Sequence, residues 1–167
     1  KTHSEENYIT LRQAIGQLPL VEAGEVCESD PLHRTTKLSG INLRRIKASR
    51  PNGTWLDWNE DLQLACHKKK TGKTYKAVYG RMSWDEPSST ITTQFYNYGT
   101  GRFGHPTQNR ALTVREAAIL QTFPEDYKFY ESEKAIFIKR LGVYIGNAVP
   151  VELGVVIGKS ILNHLGE

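Results

Sequence analysis

Apolar residues recur at helical spacing near both ends of the chain. Leu11, Ala14, Ile15 and Leu18 follow Thr10-Leu11-Arg12-Gln13. That tetrapeptide fits a capping box, in which the Thr hydroxyl accepts a backbone N–H and the Gln reaches back to the cap. Pro19 ends this helix. Thr113-Val114-Arg115-Glu116 is a second capping box, opening a helix that carries Ala117, Ala118 and Leu120 and stops at Phe123-Pro124. A looser amphipathic segment spans 132–141. Pro150 suits the first turn of a terminal helix in which Leu153, Val156, Ile157 and Ile161 share one face. Gly154 and Gly158, four apart, would give that helix a flat strip for close packing.

The middle of the chain has a different pattern. Tyr75, Val78 and Tyr79, then Thr90 to Tyr96, are β-branched and aromatic, so 74–98 reads as strands. A Gly-rich loop follows, Tyr98-Gly99-Thr100-Gly101-Arg102-Phe103-Gly104-His105-Pro106. Residues 32–66 hold two basic-apolar stretches around the turn Pro51-Asn52-Gly53. Trp55 and Trp58 read as scaffold aromatics, with stacking on a base as the sharper alternative. The split predicts an α+β fold, with a small irregular β-rich lobe over 30–108 and helical ends at 10–18 and 110–165 forming a separate layer.

Composition narrows the classes. The 167 residues suffice for one domain with a core. A hydrophobic content of 38% and a mean hydropathy of −0.50 suit a piece that borrows core from another segment. No secretory signal opens the chain and no apolar run reaches the length of a membrane span, so the expectation is a cytoplasmic protein with no membrane partner. Two cysteines imply no disulfide framework. Carboxylates flank Cys27 and would raise its thiol pKa, and Cys66 lies on a structural element. Cys27, His33, Cys66 and His67 could meet at a metal only on paper, because their spacing fits no zinc motif.

The net charge of +4 is unevenly spread. Arg44, Arg45, Lys47 and Arg50 cluster, as do Lys68, Lys69, Lys70, Lys73 and Lys76. Either a polyanion partner or a solvated charged surface accounts for them.

The block Arg110 to Pro124, followed by Ile145-Gly146-Asn147-Ala148-Val149-Pro150, resembles the last two sequence blocks of the DNA cytosine-5 methyltransferases. Tyr79 to Pro87, Gly101 to Pro106 and His33-Arg34 with Leu43 to Ile46 are similar to a bacterial subgroup of that family. The resemblance implies a connecting segment over 1–29, a target-recognition region over 30–108, and a helical segment over 109–167 that returns to the catalytic domain and completes a Rossmann-like fold. Asn147, Ala148 and Val149 would line S-adenosyl-L-methionine, on a turn whose helix N-terminus also suits a polar ligand. Thr92, in a Thr-Leu-like element, would hold the phosphate of a flipped nucleotide. Arg81 and Arg102 are the candidates for guanine readout, with His105 in the same loop. Arg110 and Arg115 match the family's arginines, which hold loops or phosphates.

Val114, Ile119, Thr122 and Tyr144 depart from the common pattern, where Pro, Arg, Gly and Gln are frequent. The family's Gly-rich cofactor turn and Pro-Cys nucleophile loop are not in these residues. The expected partners are therefore double-stranded DNA and an N-terminal catalytic half or subunit, and this chain alone would be inactive. The rival readings are a stand-alone DNA-binding module and an inactive remnant.

Overall fold

The computed structural model describes residues 7–132 and 136–166. Its elements in chain order are α1 (Leu11–Ile15), β1 (Val26–Cys27), β2 (Asp30–Arg34), α2 (Gly40–Ala48), α3 (Val114–Leu120), α4 (Ile138–Asn147) and α5 (Val151–Leu165), with four short 3-10 turns between α2 and α3. The class is α+β. Both capping boxes form: Thr10 with Gln13 starts α1, and Thr113 with Glu116 starts α3. Helix α1 ends at Gly16, before Pro19 is reached. The expected helix over 132–141 falls partly on residues outside the described ones, and helix is seen from Ile138 onward.

Helix α3 is the hub, in contact with α1, β2 and α4. Val114, Ala117 and Ala118, spaced to fall on one face, enter a core with Leu11, Ile15, Leu32, Phe95, Leu141 and Ile145. A second cluster joins Ile46, Tyr98 and Ala111, and a third joins Trp55, Trp58 and Leu62.

The strands expected over 74–98 do not form, and the lobe is not β-rich. Among the described residues the sheet is the antiparallel pair β1–β2, whose register shifts between Val26 and Cys27. The β-branched and aromatic residues of 74–98 are used for side-chain packing: Ile91 and Phe95 go to the main core, and Tyr79 meets Tyr98 edge-on at 5.4 Å. Their backbone closes tight turns instead of ladders, as in Phe95 N–H to Thr92 O and Asn97 N–H to Gln94 O. Single bridges, Pro51 to Arg81, Arg81 to Gly104 and Gly104 to Ala111, tie these turns together. Tertiary burial has overridden local propensity.

The glycine strip also lies elsewhere than expected. Among the described residues, nothing would stand within 4 Å of a Cβ at Gly154 or Gly158. Gly142 and Gly146 of α4, at the same spacing, lie against the Thr92–Thr93 backbone and the Tyr96 ring, leaving no room for a Cβ. Pro150 precedes α5 as its cap residue, and α5 has no buried residue. Contrary to the expectation from the sequence, the helical stretch Ile138–Leu165, broken at 148–150, is long and apolar enough to cross a membrane by length and composition. Leu141 and Ile145 of that stretch are buried in the protein core.

Candidate functional site

Arg81 is buried, and every guanidinium N–H is used inside the chain. Nε–H lies between Ile46 O and Ser49 O, Nη1 donates to His105 O and Gln108 O at 2.7 Å each, and Nη2 donates to Ile46 O and Asn109 Oδ1. The residue gathers α2's end and the 105–109 loop around one planar fork, with no donor left to aim outward.

Arg110 and Glu116 form a second closed network. Arg110 Nη1 and Nη2 donate to Glu116 Oε2 and Oε1 at 2.8 and 2.7 Å, with both side chains essentially unexposed. Arg110 Nε also reaches Val21 O, and Glu116 Oε2 accepts the Thr113 N–H. Burial alone would raise the Glu116 carboxyl, but the Arg110 guanidinium outweighs it and holds the group below the usual carboxylate range. His105 is buried beside this pair. Burial drives its pKa down to about 4, more than the Glu116 carboxylate raises it. Its Nδ1 accepts the Thr107 and Gln108 N–H groups, which puts the proton on Nε2. His33 spans Thr113 Oγ1 at 3.0 Å and Pro19 O at 2.8 Å.

Arg115 makes a two-pronged pair with Asp30 and donates to Glu125 O. Burial raises the Asp30 carboxyl less than Arg115 and the Leu32 N–H lower it. Arg81, Arg110, Arg115 and His105 thus sit among loops and carboxylates of this chain. Thr92 and Arg102 differ. Thr92 is exposed, and its hydroxyl has no partner among the described residues. Arg102 is half-buried and, among the described residues, bonds Gly53 O and Arg81 O through Nη1 only.

The basic clusters are partly neutralised. Arg44 pairs with Asp61 and Arg50 with Asp57 at the surface, and Arg45 lies over the Trp58 and Tyr79 rings. Lys68 and Lys69 are exposed. Trp55 and Trp58 are buried, Trp55 stacked on His67 at 4.1 Å, so they are scaffold; Tyr75 is the exposed ring of that neighbourhood. The Cys27 thiol is lowered, not raised, because it meets the Ser29 hydroxyl at 3.2 Å and the Ser29 backbone. Among the described residues no group of three or more metal-ligating side chains gathers.

The Asn147 region is not a loose turn. Helix α4 runs through Asn147, and only Ala148 to Pro150 are non-helical. The first amides of α5 are not free for an anion, since Val151 N–H bonds Gln121 O and Glu152 N–H bonds Thr122 Oγ1. What remains open is the side chains. Asn147 and Val149 are exposed, and the Asn147 amide has no partner among the described residues. Beside them is a cleft of about 430 Å³ lined by Phe123, Tyr127, Lys128, Phe129, Tyr144 and Ala148. The Asn147 amide can donate and accept and the cleft offers planar rings, groups with the chemistry to hold a nucleoside-type ligand.

Two positions were missed in the sequence. Gln121 and Thr122 grip both sides of the break. For Thr122 a signal existed, since it stands where Gly is frequent in the family it resembles, and its φ is +58°. Gly146, a turn residue by the sequence pattern, lies inside α4. It lies against the Thr92–Thr93 backbone, which places Thr92 next to the residue that precedes Asn147.

A family model of the C-5 cytosine-specific DNA methylases matches residues 5–163. The chain is 53% identical to the Type II methylase M.HgiDII of Herpetosiphon aurantiacus, over 98% of the chain and 46% of that relative. It is 36% identical to the Type II methyltransferase M.Eco47II of Escherichia coli, over 94% of the chain and 36% of the relative. The chain thus spans less than half the length of these two relatives. A third, the Type II methyltransferase M.AquIB of a Picosynechococcus species, matches over 100 residues at 37% identity, and those residues are 68% of its own length.

Proposed function

The chain belongs to the C-5 cytosine-specific DNA methylases, and from that premise we propose that it is the DNA-recognising, cofactor-closing portion of a DNA (cytosine-5-)-methyltransferase. The observation that carries this reading is the packing of Thr92–Thr93 on Gly142 and Gly146. A methyl donor and a methyl acceptor must meet at one point. Here the residue proposed to hold the acceptor's phosphate lies against the helix that ends in the residue proposed to touch the donor.

S-adenosyl-L-methionine supplies the methyl group when bound. Asn147 offers its amide, Ala148 and Val149 offer apolar contact, and the neighbouring rings exclude water. Double-stranded DNA is the acceptor, its cytosine swung out of the stack so that C5 becomes reachable. Thr92 donates to the phosphate of that nucleotide. Arg102, with Nε and Nη2 free of partners among the described residues, reads a base edge from the lobe. Arg81, Arg110, Arg115 and His105 serve DNA indirectly, by fixing the loops that carry these contacts.

A catalytic half or subunit supplies the Cys nucleophile, the acid and the larger part of the cofactor pocket. Helix α5 supports this division: it is apolar on several faces and has no buried residue, as suits a helix buried by a neighbouring layer that completes a Rossmann-like domain. The site of action is the cytoplasm. Labelled methyl transfer tests the proposal. The chain alone transfers nothing to DNA, and the complete enzyme transfers methyl to C5. Activity from the purified chain alone, or labelling of the DNA at another atom, overturns it.

A further inference from the structure

We infer that Gln121 and Thr122 are positioning residues for the cofactor break between α4 and α5, acting on the cofactor through Asn147 without touching it. The inference rests on the reading of Asn147 to Val149 as cofactor-contacting.

Gln121 is 7% exposed, and its side-chain amide donates to Ile145 O at 2.8 Å and Ala148 O at 3.2 Å. Those carbonyls lie on either side of Asn147. The Gln121 backbone carbonyl accepts Val151 N–H at 3.3 Å. Thr122 Oγ1 accepts Glu152 N–H at 3.0 Å. Two adjacent residues therefore hold the Ile145 carbonyl in the last turn of α4, the Ala148 carbonyl of the break and the first amides of α5, which a helix start otherwise leaves to water. The direction of the Asn147 side chain follows from this grip, because Asn147 has no side-chain bond of its own among the described residues.

Thr122 holds its place at φ +58°, a region that disfavours β-branched residues. Another residue could turn the chain there more easily. The Thr hydroxyl is what reaches α5. Both residues directly follow α3, whose other end is locked by the Arg110–Glu116 pair. The break is thereby fixed to the helix that also organises the recognition loops.

The test uses the complete enzyme and calorimetric binding of S-adenosyl-L-methionine and of DNA. Gln121→Met keeps bulk and removes the donors; it should weaken cofactor binding about five- to tenfold, the effect of losing one or two net hydrogen bonds, with DNA affinity unchanged. Thr122→Val keeps branching and backbone strain but loses the hydroxyl. It should weaken the cofactor less, and Thr122→Ser should restore it. Without any cofactor, amide exchange at Glu152 should quicken in Thr122→Val and not in Thr122→Ser.

If Gln121→Met does not fold, the Thr122→Val and Thr122→Ser pair decides alone. Asn147→Ala is measured in parallel. If it weakens cofactor binding while Gln121→Met and Thr122→Val do not, the positioning role is refuted and the cofactor reading stands. Equal losses for cofactor and DNA, with a lowered Tm, reduce both residues to general scaffold and also refute it. If none of the three variants affects the cofactor, both the reading and the inference fail.

Discussion

Replacing Glu116 by Gln changes one atom and should cost much of the fold's stability. The Glu116 carboxylate accepts Arg110 Nη2 at 2.7 Å, Arg110 Nη1 at 2.8 Å and the Thr113 N–H at 2.8 Å. A Gln amide nitrogen at either oxygen position faces a donor, so at least one bond is lost. The Arg110 cation is then left fully buried without its counter-charge. Removing one partner of a buried ion pair costs about 3–5 kcal/mol, a large share of a typical total of about 5–15 kcal/mol. With a urea slope of about 2 kcal/mol/M, the midpoint should fall by about 1.5–2.5 M at unchanged slope.

Tryptophan fluorescence in the complete enzyme reads this unfolding, since Trp84 meets His105 edge-on at 5.0 Å. The apolar double variant Arg110→Met, Glu116→Leu should lose less than Glu116→Gln alone. The acid limb adds a signature. The folded Glu116 carboxyl lies below its unfolded value, so its contribution is full above the unfolded pKa and is lost as pH falls through the folded one. The gap between wild type and the Glu116→Gln variant should therefore narrow in strong acid. His105 also loses stability for the protein as pH drops from its unfolded value near 6.5 toward about 4, because only the unfolded chain takes up that proton readily. A midpoint shift under about 0.5 M, or a gap that is constant down to strong acid, would refute the reasoning.

Arg81→Ala should destabilise the lobe and weaken all DNA sequences together, whereas Arg102→Ala should cost about 1–3 kcal/mol at one base position; binding to a panel of single-base variants separates the two. Changing Lys68 and Lys69 to Ala should weaken every sequence alike and flatten the slope of log affinity against log salt by about 2, read by titration at several salt concentrations. Gly146→Ala forces a methyl onto the Thr92–Thr93 backbone and should cost about 1–3 kcal/mol of stability, measured by thermal melting.

What was legible in the sequence was local. Thr10 with Gln13 and Thr113 with Glu116 announce helix starts because the capping bonds join residues three apart. Tyr79, Ile91 and Phe95 have strand-like propensity, yet their place depends on partners far along the chain, which propensity does not encode. Gly142-Gly146 and Gly154-Gly158 have the same spacing, and only the fold decides which pair meets a backbone. Arg81 among glycines and aromatics has the same local look as Arg102. Burial behind the carbonyls of Ile46, Ser49, His105 and Gln108 separates a scaffold arginine from one with free donors.

The contacts Asp30 to Arg115, Val21 to Arg110 and His33 to Thr113 join residues 85, 89 and 80 positions apart. They fasten the two ends of the segment proposed for DNA recognition at, or just before, one short helix, so the segment between is a closed loop that holds two clusters of its own and lends Ile91 and Phe95 to the main core. The entropy of closing such a loop grows only with the logarithm of its length, about 0.6 kcal/mol per doubling. With the fastening residues and the main-core residues Met82, Ile91, Phe95 and Phe103 kept, the rest of the segment can lengthen, shorten or be exchanged for another at little thermodynamic cost. On the proposed function, new DNA sequences then become readable by replacing that part, while the helices proposed to meet the cofactor stay where they are.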